Sequence, residues 1–345
     1  MAVVGSAFAH SGPPSAAELE FKRNARRSLT ACQSQLRKRD GYVERAIARR
    51  QARAESIRKA RGLSIAAPFK RDFPGVLATD HHSNLTGVTN DTDPSVLFDS
   101  GSTCVLAPEV TQGPYLVDGE FVRFDVTEDQ AGVPTYLDIE LLDVNTCEPV
   151  ANTYIDIWAC NATGVYSGVV ASGNGNSASS ENINATFLRG IQQTDEDGVA
   201  QWLTVFPGHY TGRTNHIHVM AHQSNGTLFD NGTYVGDYVS HVGQVFFDQS
   251  LISEVEATSP YTSNTQNLTT NEEDGIMEQE ADTIDPVVEY VLLGDSITDG
   301  IFAWSSMAID TSSGYTVTPA VDYYETGGVT VSGGGGGPGG PPPSV

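Results

Sequence analysis

Two patterns of apolar and polar positions divide the chain. From Ser15 to Arg61 it is rich in Ala, Arg, Glu and Leu, with no Pro and a single Gly. That stretch predicts helix, in two segments broken near Asp40-Gly41. Residues 62–100 are polar and turn-rich. Beyond Tyr115 the chain changes to short runs of Val, Ile, Thr and Tyr with alternating polarity: Phe121–Val126, Leu137–Val144, Tyr154–Trp158 and Trp202–Phe206. Turn signals such as Asp197-Gly198 separate such runs at the spacing of a sandwich. The pattern therefore predicts a mainly β protein, a β-sandwich catalytic domain with an N-terminal helical arm. The Gly- and Pro-rich stretch from Ser332 to Val345 cannot form a core and is expected to be disordered. The division that follows is 1–9 as a signal remnant, 10–71 as a basic helical arm, 72–330 as the sandwich and 331–345 as the tail.

Charge sharpens that division. Sixteen of the 19 Lys and Arg residues lie at or before Arg71, while 38 of the 43 acids lie after it. The three later cations are Arg123, Arg189 and Arg213. So acidic a body repels phosphate backbones, which argues against nucleic acid as a partner. The basic arm is expected to pack on its own acidic body, with anion or membrane binding as the alternative. No stretch is long and apolar enough to span a membrane.

Seven N-glycosylation sequons, at Asn84, Asn90, Asn161, Asn184, Asn225, Asn231 and Asn267, favour a secreted, extracellular protein. The opening residues end in an Ala-x-Ala pattern at Ala7 to Ala9, but the segment is short and lacks a basic start. Cys32, Cys104, Cys147 and Cys160 permit two disulfides in three connectivities that the sequence does not rank. Bridging of Cys32 would retain the arm. Cleavage after Lys38-Arg39 or Lys70-Arg71 would remove it.

The chemistry concentrates in two blocks. In Phe206–His218 a Pro207-Gly208 turn precedes Tyr210, Arg213, His216 and His218; the earlier Asp156–Gly168 block carries Tyr166. Side chains alternate along a strand, so His216 and His218 share one face and Ile217 takes the other. Phenolate is a hard anionic donor that suits a trivalent metal, and imidazole ligates iron well. Two tyrosines and two histidines can therefore hold a ferric ion. Taken alone, His-x-His is more often a packing pattern and a tyrosine beside Gly a turn aromatic. The combination carries the argument.

With Thr111–Tyr115, Thr194–Gly198 and Gln244–Phe247, these blocks resemble the intradiol ring-cleavage dioxygenases, in that family's order across roughly residues 104 to 250. The whole chain looks most like the secreted fungal branch. The resemblance implies a non-haem Fe(3+) held by Tyr166, Tyr210, His216 and His218. It also implies a catechol or hydroxyquinol substrate, cleaved with O2 to cis,cis-muconate-type products. Arg213, Tyr210 and Gln244 match the family's catalytic residues, and Tyr115 and Trp158 either wall the substrate pocket or support it. Related enzymes dimerise through N-terminal helices, which makes the arm a candidate homodimer contact. Because only Arg123 and Arg189 remain to pair a substrate carboxylate, uncharged diols are the expected substrates.

Two rival readings stand beside this one. Gly294–Gly300 looks like the nucleophile block of GDS-type esterases, with Ser296 as nucleophile. No histidine follows His241 to activate that serine, so the block is expected to be a strand followed by a turn. The other rival is a non-catalytic sandwich that kept the fold. His209, His222 and His241 are near enough in sequence to compete with the assigned ligands, whereas His81 and His82 carry little signal.

Overall fold

The computed structural model describes residues 41–63, 103–105, 113–171, 173–175, 179–223, 225–281, 285–312 and 314–332. The signal remnant, the first half of the helical arm, Cys32, Asn84, Asn90 and nearly all of the C-terminal tail lie outside the described residues.

Two five-stranded sheets stack on one another. The first contains β1 (Thr103–Val105), β4 (Pro134–Asp143), β7 (Val199–Val205), β12 (Glu289–Leu292) and β13 (Ile301–Ile309). Its order is β1-β13-β4-β7, with β12 also on β13. The second sheet is antiparallel throughout and runs β14-β11-β8-β5-β6. These strands are β5 (Tyr154–Trp158), β6 (Arg189–Gln193), β8 (His216–His222), β11 (Tyr238–Phe246) and β14 (Tyr315–Thr316). Two small sheets flank them: β2 (Val117–Asp118) with β15 (Val321–Tyr324) and β16 (Gly327–Thr330), and β3 (Glu120–Phe121) with β9 (Thr227–Leu228) and β10 (Thr233–Val235). This is the β-sandwich that the alternating runs predict.

The period of two sorts the side chains. Leu137, Ile139, Ile157, Trp202, Ile217 and Val219 fill the space between the sheets, all essentially inaccessible. The polar partners in β4 do not face water. Asp138 and Glu140 are buried beneath helix α1 (Tyr42–Arg61), whose Arg49 and Arg50 approach them at 3.4 to 3.7 Å. Ile47, Ala54 and Ile57 of the same helix pack on Phe302 and Trp304. At its C-terminus, Arg58 donates to the Leu292 and Leu293 carbonyls and Arg61 to that of Asp299. The basic helix thus spends its charge on the acidic body. It begins directly after Gly41, the expected break, and ends on Gly62 in the left-handed conformation.

Two readings change and one holds. Phe121–Val126 is not one strand. Val122 bonds to Gly232, Arg123 to Ile191 and Val126 to Leu203, so the segment passes from one sheet edge to another and only Glu120–Phe121 is regular. Cys160 is a buried free thiol that donates to the Gly208 carbonyl, whereas Cys147 is disulfide-bonded. The four cysteines therefore form one bridge at most. Ser296 caps the short 3-10 turn Ile297–Asp299 in a reciprocal box with Asp299, which is the strand-then-turn expectation and leaves it no histidine partner.

Candidate metal centre

The outer face of the second sheet carries the site. In β8, His216 and His218 project outward beside Gln244 of β11, which sits opposite His218 in register, and Trp158 of β5 faces the same residue from the other side. The Trp158 ring stacks on the His218 imidazole at 4.7 Å and 6°. Just upstream, the Thr214 carbonyl accepts from His216 Nδ1 at 2.6 Å, which fixes the tautomer and turns the Nε2 lone pair towards the centre.

Two loops bring the tyrosines. The turn at Pro207-Gly208 packs so closely on the loop after β5 that a Cβ on residue 208 would lie 2.2 Å from the Asn161 carbonyl. That loop delivers Tyr166, whose backbone is held by two buried asparagines: Asn174 accepts from its N–H, and both Asn174 and Asn182 donate to its carbonyl at 2.8 Å. Tyr115 stacks on the Tyr166 ring at 4.4 Å and meets Tyr210 edge-on at 6.0 Å. Tyr166 Oη lies 3.1 Å from His216 Nε2, which in turn lies 3.2 Å from His218 Nε2. The Tyr210 ring is 5.7 Å from both Tyr166 and His216. The sequence singled out Tyr115, Trp158, Tyr166, Tyr210, Arg213, His216, His218 and Gln244, and the fold brings all eight together.

The electrostatics of this cluster suit a cation. Burial pushes the Tyr166 phenol well above its ordinary range and that of Tyr210 up to about 12, the Arg213 charge opposing the rise in each. Burial, then the Arg213 charge, lowers His216 to about 3, and burial with His216 and Arg213 holds His218 well below its usual value. Without a metal the four donors are neutral, so the imidazole lone pairs are available and the phenols can ionise only against an added positive charge. Ligands about 2.1 Å from one ion at right angles lie about 3 Å apart, which matches the separations of the Tyr166, His216 and His218 donor atoms. Among the described residues no group of three His, Cys, Asp or Glu could hold a metal, so a metal held here would need tyrosine oxygens as well.

The other described histidines are occupied elsewhere. His209 pairs with Glu256 at 2.8 Å and the Gln266 carbonyl, His222 bonds the Gly236 carbonyl, and His241 Nε2 accepts from the Asp310 N–H. Arg213 is 8% exposed; it donates from Nε to Asp274 at 2.8 Å and from an Nη to Gln244 Oε1. Sequence reasoning missed Asp274, Asn174 and Asn182. Each acts through contacts that exist only once the loops are folded: the two asparagines bond the Tyr166 backbone, and Asp274 bonds the Arg213 side chain and the Thr214 N–H.

No protein-family model and no curated protein matches the chain. Solved structures do. An intradiol ring-cleavage dioxygenase from Tetranychus urticae is 31% identical, the match covering 60% of this chain and 96% of that one, with a TM-score of 0.49. A second dioxygenase is 30% identical, covering 60% and 95%, also with a TM-score of 0.49. The chain belongs to the intradiol ring-cleavage dioxygenase family. As a member of it, the protein is an oxidoreductase.

Behind the centre, this dioxygenase buries a second polar cluster. Glu120 and Asp156 lie together near Arg189, which meets Glu120 at 3.1 Å. Burial lifts Asp156 to about 7 against the opposing effects of Glu120 and the Arg189 charge, and burial with the Asp156 charge lifts Glu120 well above its usual range. A carboxyl that keeps its proton in the fold but loses it near pH 4 when unfolded makes the fold less stable as pH rises. Between about pH 4 and 7 each retained proton is expected to cost up to about 1.4 kcal/mol per pH unit. The depressed carboxyls Asp143 and Asp274 act below that window. The buried histidines His216, His218, His222 and His241, all held below their usual range, act with the opposite sign across the same window, so the carboxyl contribution is read as a difference: as pH rises from 4 to 7, denaturant titrations should show wild type losing stability relative to Asp156→Asn.

Proposed function

We propose that this dioxygenase is a non-haem ferric enzyme that cleaves catechol-type diols between the two hydroxyl-bearing carbons, giving cis,cis-muconate-type products. The observation that carries the reading is that His216 Nε2 lies about 3 Å from both Tyr166 Oη and His218 Nε2, with the Tyr210 ring beside them. These four residues would hold the iron. Bound ferric iron supplies a Lewis acid that chelates the diol and makes its ring reactive towards dioxygen.

The chain's own residues do the rest. Tyr210 has the less strongly raised phenol of the pair and is the better group to exchange a proton with a substrate hydroxyl at its Oη. The Arg213 guanidinium, fixed at two of its nitrogens, is preorganised to stabilise negative charge on the bound ring. Tyr115 and Trp158 exclude water from the ligand rings by stacking on them. Secretion is part of the proposal, supported by the Cys147 disulfide and by exposed sequons at Asn184, Asn225, Asn231 and Asn267.

Substrate charge follows from the arginines. Arg189 is spent on Glu120, Ser167 and the Tyr115 carbonyl. Arg123 is spent on Glu128 and the Thr186 and Arg189 carbonyls. A ring carboxylate would enter without a cation, so kcat/KM for catechol is expected to exceed that for protocatechuate by at least about 100-fold. A preference for the acid would overturn that expectation. The function itself is tested by iron content and the visible spectrum before and after anaerobic addition of catechol. About one iron per chain with a tyrosinate-to-ferric absorption that shifts on binding supports it. A protein that stays colourless after reconstitution with iron overturns it.

A further inference from the structure

One carboxylate outside the donor set touches both halves of the site. Asp274 is fully buried and lies after the short 3-10 turn Asn271–Glu273, about 60 residues from the loop it contacts. Its Oδ2 accepts from Arg213 Nε and from the Thr214 N–H, each at 2.8 Å. Its Oδ1 accepts from the Ile276 and Met277 N–H groups at 2.9 and 3.0 Å, at the start of helix α2 (Gly275–Ala281). With four donors around it, the carboxylate has no freedom to rotate.

Each contact continues into the site. Arg213 is tied at Nε by Asp274 and at one Nη by Gln244, and its other Nη has no partner among the described residues. Thr214, held through its N–H, offers the carbonyl that fixes His216 Nδ1, and its hydroxyl is anchored on Asn271 at 2.7 Å. We propose that Asp274 is a positioning residue, aligning the Arg213 guanidinium on the substrate side and, through Thr214, the His216 imidazole. The carboxylate supplies both the charge that keeps a buried guanidinium in place and the geometry that leaves one of its ends open. A guanidinium released from that tether turns to find another acceptor, and a misplacement of about 1 Å is enough to cost roughly 100-fold in rate.

The test is a double-mutant cycle with two readouts. The first, thermal stability of the full chain without iron, does not depend on the dioxygenase reading. Arg213→Ala and Asp274→Asn should each lower Tm by roughly 10 °C, by stranding or weakening a buried charge, with the double variant no lower than either single. Additive Tm losses would mean that the two residues are not coupled, and the proposal fails. The second, turnover of catechol by the iron-loaded enzyme, rests on the function proposed above. Asp274→Asn should lower kcat about 100-fold with KM within a few-fold, and the double variant should be no slower than Arg213→Ala.

Rate losses that multiply in the double variant, or a KM rise without a fall in kcat, overturn the positioning role. Glu273→Ala separates positioning from general support of the segment, because Glu273 is exposed and only closes the capping box with Thr270. It should leave kcat unchanged, and a loss equal to that of Asp274→Asn would also overturn the proposal. Should Asp274→Asn fail to fold, Asp274→Ser, which keeps a small acceptor near the Thr214 N–H, carries the same expectations. A wild-type enzyme that binds iron but turns over no catechol defeats the functional reading while leaving the stability cycle to judge Asp274.

Discussion

Tyr166→Phe is expected to leave a folded protein that neither retains iron through purification nor cleaves a diol. The hydroxyl is completely buried and points at His216 Nε2 from 3.1 Å, so no water can replace it as an oxygen donor. The rest of the ring keeps its work: Phe can stack on Tyr115 and fill the same volume, and the loop backbone stays on Asn174 and Asn182. Stability of the metal-free chain should therefore change by only about 1 kcal/mol, the ordinary worth of one hydrogen bond. Loss of activity should exceed the roughly 100-fold that removal of an outer partner of a metal ligand costs. Calorimetry of the metal-free protein, iron content and turnover of catechol separate the two effects. A variant that keeps full iron and wild-type turnover would remove Tyr166 from the ligand set.

Arg50→Met acts on stability alone. Arg50 is 2% exposed between the helix and the first sheet, 3.5 Å from Glu140, 3.7 Å from Asp138 and 3.3 Å from Ser306 Oγ. Its guanidinium lies 5.8 Å from the Trp304 ring centre. Methionine keeps the stem that packs on Trp304 and removes the charge. Two buried carboxylates then keep the hydrogen bonds of Gln201 and Ser306 but have Arg49 as the one cation beside them among the described residues, and the loss should be about 3–5 kcal/mol. Adding Glu140→Leu should recover a large part of it, because removing both partners of a buried pair costs far less than removing one. Denaturant unfolding of the single and double variants checks this. Equal stabilities of wild type and Arg50→Met would show that the helix does not depend on these pairs.

That helix also shows what the sequence could tell. The charge asymmetry about Arg71 pointed to an arm lying on its own body, and the ion pairs of Arg49 and Arg50 realise it. The alternation of Leu137–Val144 gave the strand. Asp138 and Glu140 on its polar face are buried, because their cover comes from a segment some 90 residues earlier. A period of two reports that a face differs from its opposite, and says nothing of what lies upon it. Phe121–Val126 read as a strand on the same period, yet its N–H groups bond to three separate stretches of chain within six residues.

In the site, His216 and His218 were legible because strand geometry alone puts them together. The two tyrosines were legible only as members of a set whose meeting depends on loop packing. Asp274, Asn174 and Asn182 carried no local signal. Asp-Gly and Asn-rich stretches read as turns, and their roles consist of hydrogen bonds formed only in the folded loops, to the Tyr166 backbone for the asparagines and to Arg213 and Thr214 for Asp274. Asn161 shows the same ambiguity: its sequon amide is engaged with Gln130, Thr163 and Val165, as a turn-former inside the loop that delivers Tyr166.

Strand β8 does two jobs with seven residues. Ile217, Val219 and Ala221 belong to the space between the sheets, while His216, His218 and His222 face outward. A slip of one residue against β5 and β11 would exchange the sets, placing imidazoles in hydrocarbon and aliphatic side chains where the donors belong. Chemistry and folding are therefore proofread by the same register. Mutational drift is partitioned along with it: on one parity of this strand substitutions are felt as instability, on the other as altered reactivity, and a lineage can explore new substrates on the second without eroding the first.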